Sequence, residues 1–260
     1  MFKHTVRIAW LLGFTSLSLA QSPERQGLAI AEKAHHLNTG FGDMSANLTL
    51  VLHNKEQQTS KRSLRLWMLE TPYGDKTRCC CDHPKDIKGV SLLTITHKQK
   101  NNDQWLYLPA LKRVKRIIAA NSASSFMGSE FSYSDFASSV LEKYTYEYIR
   151  DESYEDQRCF VVSVTPKKIN HRGYHHRMLW FDQTHHRTLK VEYYGQRDNL
   201  VKTLTLSNYR LFMNTFWRPC IMTMVNYETE KSSELIWTDI RFQTGLKDRD
   251  FTTHSLTRPQ

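Results

Sequence analysis

Beyond residue 20 the sequence lacks any run approaching the roughly 18 to 20 consecutive apolar residues that a membrane-spanning helix requires, so no helical anchor is expected there. Glycine is also scarce, with ten in 260 residues. They form neither the GxxxxGK[ST] loop that cradles phosphates nor the GxGxxG turn that binds dinucleotides. HExxH and GxSxG are absent as well, which removes the commonest zinc-protease and nucleophile-elbow signatures. Cysteine is sparse and odd in number: five, at positions 79, 80, 81, 159 and 220. An odd set cannot form a closed disulfide framework, and at least one thiol stays unpaired or bonds another chain. Successive strand residues point to opposite faces, so Cys79, Cys80 and Cys81 cannot all converge on one ion. Buried strand residues, or a pair with Cys159 or Cys220, remain.

The first twenty residues read as a cleavable signal peptide. Lys3 and Arg7 precede the apolar run Ile8 to Phe14, and Ser18-Leu19-Ala20 supplies the small residues a signal peptidase needs. Residues 21–260 are then expected to form a single exported domain, periplasmic in a Gram-negative cell. No cysteine follows the cleavage point closely, so no lipid anchor is expected. The formal net charge is +10, and losing Lys3 and Arg7 leaves the chain basic. Such a field favours anionic partners; export makes nucleic acid the weaker choice.

One helix is predicted early, capped by Ser22, with Pro23 in its first turn, Leu28, Ala31, Ala34, His35 and Leu37 at helical spacing, and Gly40 as its stop. A period of two then takes over, as in "SANLTLVLHNK", and recurs in "SLRLWMLE", "GVSLLTITHK", "QWLYL", "CFVVSVT", "HHRMLWFD", "TLKVEYYG", "VKTLTLSNY", "PCIMTMVNY" and "SELIWTDIRF". The short connections predict an antiparallel, largely meandering sheet. A second helix is predicted after Ser132, whose spacing to Asp135 has the form of a capping pair. Both faces of several strands are apolar: Trp67 with Leu69 against Leu64 with Leu66, Leu179 with Phe181 against Met178 with Trp180, and Met222 with Met224 against Ile221 with Val225. Either the sheet curls around its own core or it leaves a greasy concavity.

Twelve histidines invite a metal reading. A hairpin turning at Gln183-Thr184 would set His176 opposite Val191 and His175 opposite Glu192, far from His185-His186, so no metal site or other cofactor is expected. Ser129 lies in a loop without the strand-to-helix turn of a hydrolase nucleophile. "KRVKR" (112–116) reads either as a solvated strand face or as a contact for phosphate-like groups; beside Trp105 and Tyr107 it also has the look of a single-strand platform, which export disfavours.

"DQWLYLPALKRVKRI" followed by "SFMGSEFSYSDF" resembles the LolA-like outer-membrane lipoprotein-sorting family of Gram-negative bacteria, in the branch encoded beside resistance-nodulation-division (RND) transporters. "GLAIAEKA", "GDMSANLTLVLHNK", "DIKGVSLLT" and "DRDFTTHSLTR" fall in the same order, so the resemblance covers essentially all of the chain after the leader. It departs at Cys79-Cys80-Cys81, where the family carries bulky apolar residues. The resemblance implies a mainly β fold with α: a curled antiparallel sheet forming an incomplete β-barrel, closed by helices and loops, with an apolar hollow that shelters acyl chains. Each buried methylene would contribute about 0.8 kcal/mol.

It further implies a non-enzymatic carrier of lipoprotein or lipid cargo, in transient contact with membranes and with an inner-membrane RND-type transporter as partner. Under that reading Trp67, Leu69, Trp105, Tyr107, Trp180, Met222 and Met224 line the hollow. Phe126, Met127 and Phe131 form a mobile lid, and Lys112, Arg113, Lys115 and Arg116 meet a head group or acidic partner. Two other readings remain open on the same residues: an accessory protein that binds a transporter without carrying anything, and a hydrolase.

Overall fold

The computed structural model describes residues 21–168 and 173–257; the expected signal peptide lies outside the described residues. The chain opens with α1 (Pro23–Asn38) and continues through β1 (Asp43–His53), β2 (Thr59–Leu69), β3 (Lys76–His83), β4 (Ser91–Ile95), β5 (Asp103–Leu108) and β6 (Arg113–Ile117). After a long connection come β7 (Tyr144–Tyr154), β8 (Gln157–Pro166), β9 (His176–Asp182), β10 (Thr188–Tyr194), β11 (Leu200–Phe212), β12 (Phe216–Asn226) and β13 (Lys231–Phe242). These form one antiparallel sheet in the order β6-β5-β4-β3-β2-β1-β13-β12-β11-β10-β9-β8-β7.

That order sets the site. The first and last strands pair with each other, so the break in the sheet falls in mid-sequence, between β6 and β7. The sheet is an open barrel, and the chain linking its two free edges has to pass across the opening. Residues 118–143 make that crossing. Strand alternation sends Leu48, Leu64, Leu66, Cys79, Cys81, Leu92, Val191, Leu204, Met224 and Leu235 into one cluster together with Phe126, Phe131 and Phe136 of the crossing segment. Residues from strands so far apart in the order can share a cluster only because the sheet curls.

α1 begins as expected, with the Ser22 hydroxyl accepting from the Arg25 N–H at 3.4 Å. Its buried face differs from the expected one. Gly27, Ile30, Ala31 and Ala34 face inward, while Leu28 and Leu37 are exposed. The cause is a close approach: a Cβ on Gly27 would sit 2.6 Å from the Tyr148 backbone nitrogen. That contact turns the helix so that Ile30, Ala31 and Ala34 pack on Tyr146, Val162, Val164 and Phe181. At the other end Arg218 donates to the Asn38 side-chain and backbone oxygens at 2.9 and 3.1 Å, supplying positive charge where the helix dipole is negative.

The predicted second helix is only a four-residue 3-10 turn, Tyr133–Phe136. Its capping pair is real, with Asp135 Oδ2 accepting from the Ser132 N–H at 2.6 Å. The turn stops there because Phe136 goes inward against Phe126, ring centroids 4.3 Å apart, and Ser138-Ser139 gives it no helical continuation.

All five cysteines are unpaired. Cys79 and Cys81 are fully buried in the main cluster, where burial pushes the Cys79 thiol well up and the Cys81 thiol to about 11. They serve as small apolar residues, one of the two readings left open by the sequence.

The β9–β10 hairpin is also offset from expectation. His176 pairs with Tyr194, not Val191. Asp182 gathers the N–H groups of Thr184, His185 and Arg187 at 3.1, 2.7 and 2.9 Å, which builds a wider turn than two residues allow.

Candidate functional site: a chamber behind the crossing segment

Between the sheet and the crossing segment lie two adjoining cavities. The inner chamber, about 330 Å³, is lined by Leu66, Met68, Phe131, Phe136, Val140, Leu204, Met222, Leu235 and Trp237, among others. An apolar cavity of roughly 150 Å³ already admits benzene, so this space accommodates a length of hydrocarbon. The outer vestibule, about 550 Å³, takes in Lys98, Lys100, Lys143, Lys167, Lys168 and Arg177, with Asp135 and Glu142 as its acidic groups. Lys143, Tyr144, Arg177, Tyr193 and Asp135 border both cavities and form the neck between them.

Alternation places Arg177 at the neck. It pairs with Tyr193 on one side and Val164 on the other, both on the inward face. Its guanidinium lies 4.7 Å above the ring of Tyr144. Burial opposes that charge, and the surrounding Tyr144, Tyr193, Asp135 and Tyr146 more than offset it. Lys143 donates to Asn102 Oδ1 at 2.8 Å; burial first, then neighbouring Lys168, holds its ammonium below the ordinary lysine range. Tyr174 and Tyr193, tilted against each other at 4.8 Å, have phenols pushed far up by burial. The chamber walls also carry three buried polar atoms with no hydrogen-bond partner: Thr77 Oγ1, Ser138 Oγ and Trp237 Nε1.

Of the residues picked out in the sequence, Met222 and Phe131 line the chamber, and Met224 is buried in the cluster beneath it. Phe126 and Met127 pack in that same cluster, and the remaining residues lie elsewhere. Trp67, Leu69, Trp105 and Tyr107 lie on the opposite face, because alternation opposes Trp67 to Arg78, Arg78 to Leu93 and Leu93 to Trp105. There the C-terminal segment covers them through Leu246, Phe251 and Leu256, and Arg78 stacks 4.4 Å over Trp67 while donating to the Ser255 carbonyl at 3.3 Å. Trp180 sits in another cluster with Cys159, Val161 and Leu189, and Lys190 Nζ lies 3.6 Å above its ring.

The segment expected to act as a mobile lid is packed inward. Phe126 and Phe131 are 0% and 1% exposed, and only Met127, at φ +50°, forms the turn tip. The segment is tied down on both sides. Glu130 N–H donates to Ser233 Oγ at 3.0 Å, Lys202 donates to the Glu130 carbonyl at 2.7 Å, and Gln104 donates to the Tyr133 carbonyl at 2.7 Å.

The basic cluster is peripheral. Lys112 is exposed just before edge strand β6, Arg113 and Lys115 are exposed along it, and Arg116 is bonded to Asp103. Charged edges discourage strand addition. The cations that face the cavities instead come from β9 and from loops. Arg177 alone left a sequence trace, a charge in register with Leu179 and Phe181 on an otherwise apolar face.

Ser129 Oγ is buried and donates to the Phe126 carbonyl at 2.7 Å, with no histidine bonded to it among the described residues. His175, His176 and Asp198 are the one group of three metal-type ligands among the described residues; His175 and Asp198 are exposed, and the two histidine Nδ1 atoms lie 3.2 Å apart. No described helix is long and apolar enough to cross a membrane.

A family model described only as an uncharacterized protein matches residues 74–258, and no curated protein matches. Among solved structures, a domain from Vibrio parahaemolyticus described as an outer membrane lipoprotein-sorting protein domain is 42% identical, with a TM-score of 0.87, covering 90% of this chain and 99% of that one. A DUF1329 family protein from Desulfovibrio piger (23% identity, TM-score 0.86, 91% and 100% covered) shares the fold. So does a LolA superfamily protein from Nitrosomonas europaea (20%, 0.70, 88% and 98%).

Proposed function

The chain belongs to the LolA-like outer membrane lipoprotein-sorting family, and from that premise we propose that it is a non-enzymatic carrier whose inner chamber holds the hydrocarbon part of a lipid or lipidated cargo. One observation carries the reading: the chamber of about 330 Å³ that the protein's own apolar side chains leave unfilled. Concave, mostly apolar clefts of about 300 to 1,000 Å³ are where small ligands bind. A hydrocarbon entering this space leaves water at about 0.8 kcal/mol per methylene, so affinity scales with the length of chain inserted. Met68 and Met222 suit a variable guest because their side chains repack easily.

Carriage across the periplasm between the two membranes, with an inner-membrane RND-type transporter at one end of the route, is part of the same proposal. The family's lipoprotein-sorting description supports the first part. The exposed basic edge of Lys112, Arg113 and Lys115 offers an acidic partner a docking point for the second.

Filling the chamber tests the carrier reading. Leu204→Trp and Met222→Trp each place an indole in the cavity. Both variants, purified without detergent and extracted with organic solvent, are expected to yield at least about tenfold less bound lipid than wild type by mass spectrometry, since tenfold is only about 1.4 kcal/mol. Undiminished lipid in variants that melt as sharply as wild type would place the cargo elsewhere and defeat the proposal.

A further inference from the structure

The neck between chamber and vestibule holds two cations, Arg177 and Lys143, that no described carboxylate pairs with directly. Among the described residues no carboxylate lies within 4 Å of Arg177 or Lys143. The acidic group that bears on Arg177, Asp135, is already engaged by the N–H and the hydroxyl of Ser132 at 2.6 and 2.8 Å. Arg177, itself half-buried, stands in register between the buried Val164 and Tyr193. Placing a guanidinium there is costly unless something pairs with it, and the ring of Tyr144 is only a partial answer. Lys143 donates to the neutral amide oxygen of Asn102, and Glu142, the acidic group that bears on it, offsets only part of its burial. Farther out, Lys98, Lys100, Lys167 and Lys168 keep the vestibule positive.

We propose that the cargo is an acidic amphiphile: a long hydrocarbon bearing an oxyanion, carboxylate or phosphate, that sits between Arg177 and Lys143 while the chain runs inward past Phe131 and Leu204. This rests on the carrier reading and narrows it. The planar guanidinium offers a two-pronged hydrogen bond to either oxyanion, and the low dielectric of the neck strengthens it. An uncharged acyl-glyceryl anchor, of the kind that lipidates a protein, offers the two cations only neutral ester oxygens and no counter-charge.

The test uses full-length processed protein, delipidated, loaded with the neutral apolar dye N-phenyl-1-naphthylamine and titrated with four amphiphiles sharing one chain: hexadecyl phosphate, hexadecanoate, hexadecanol and hexadecyltrimethylammonium. Both anions are expected to displace the dye at concentrations at least about tenfold below those of the alcohol and the cation, since hydrogen bonds to charged groups contribute more than neutral ones. In Arg177→Gln and Lys143→Gln, with folding checked by thermal melting, the gap between hexadecyl phosphate and hexadecanol should narrow several-fold.

Acidifying to pH 4 separates the two head groups: hexadecanoate loses its advantage as it protonates, whereas the phosphate keeps its charge. Equal displacement by all four compounds would overturn the proposal and leave the carrier reading standing. Failure of the dye and of all four to bind would remove the carrier reading as well. A gap that survives in both variants would also overturn the assignment to these residues.

Discussion

Phe126→Ala is expected to destabilise the protein by about 3 to 5 kcal/mol, the range for removing a fully buried aromatic ring. Phe126 is 0% exposed, lies 4.3 Å from Phe136 and makes an edge contact with Tyr133 at 5.9 Å. It fastens the crossing segment from below, as Glu130 and Tyr133 do through their carbonyls. A loss of that size is a large share of the roughly 5 to 15 kcal/mol that holds a typical domain together. Leu111→Ala, at a residue 56% exposed just before β6, should change stability by no more than about 0.5 kcal/mol. Urea denaturation of both variants checks the contrast. A Phe126→Ala loss under about 1 kcal/mol would mean that the segment detaches freely and is a lid after all.

The second large effect lies at the β9–β10 turn. Asp182 is 2% exposed, and its carboxylate accepts from three backbone N–H groups and from Arg187 Nε at 2.8 Å. Arg187 in turn packs over Tyr209 and Trp217 at 5.1 and 4.9 Å. Burial pulls the Asp182 pKa upward, but the Arg187 hydrogen bond and the backbone donors pull harder, and the net direction is down. A carboxylate with a depressed folded pKa stabilises the protein fully above its unfolded value of about 3.9. That stabilisation is lost as pH falls below it, through the folded value.

Asp103 and Glu152 shift the same way, so wild-type stability should drop steeply below about pH 4. Asp182→Ala strands Arg187 and three N–H groups and is expected to lose about 3 to 5 kcal/mol at neutral pH. Its acid dependence should be shallower. Thermal melting of both proteins between pH 7 and pH 3 measures this; parallel profiles would assign the acid sensitivity to other carboxylates.

The strands were legible where one face is buried and the other wet, as in β1, because alternation then marks both the strand and its register. β7 was not: "YTYEYIRDESY" is an edge strand, and its mixed charges and tyrosines follow no clean period. Alternation also cannot say which of two apolar faces encloses a cavity. Trp67 and Trp105 looked suited to cargo, yet they serve the outer face. Their cover, Leu246, Phe251 and Leu256, comes from a segment without regular periodicity that carries no readable signal of where it docks. The hairpin register of β9 and β10 depended on the Asp182 turn, a matter of side-chain hydrogen bonds that residue spacing does not encode.

Phe126 and Phe131 were singled out in the sequence, which could not show that both pack inward beneath the crossing segment. Their placement comes from topology, because the break in the sheet lies between β6 and β7. Arg177 was readable in principle, as an inward-facing charge between His175-His176 and Leu179. Lys98, Lys143, Lys167 and Lys168 were not, since loops bring them together across the opening.

A crystal structure of the protein soaked with bromine-tipped hexadecanol measures the central claim directly, because anomalous scattering locates the end of the chain. The bromine is expected inside the chamber, among Leu66, Leu204, Met222 and Leu235. No bromine peak there, with those side chains packed together across the space, would contradict the account.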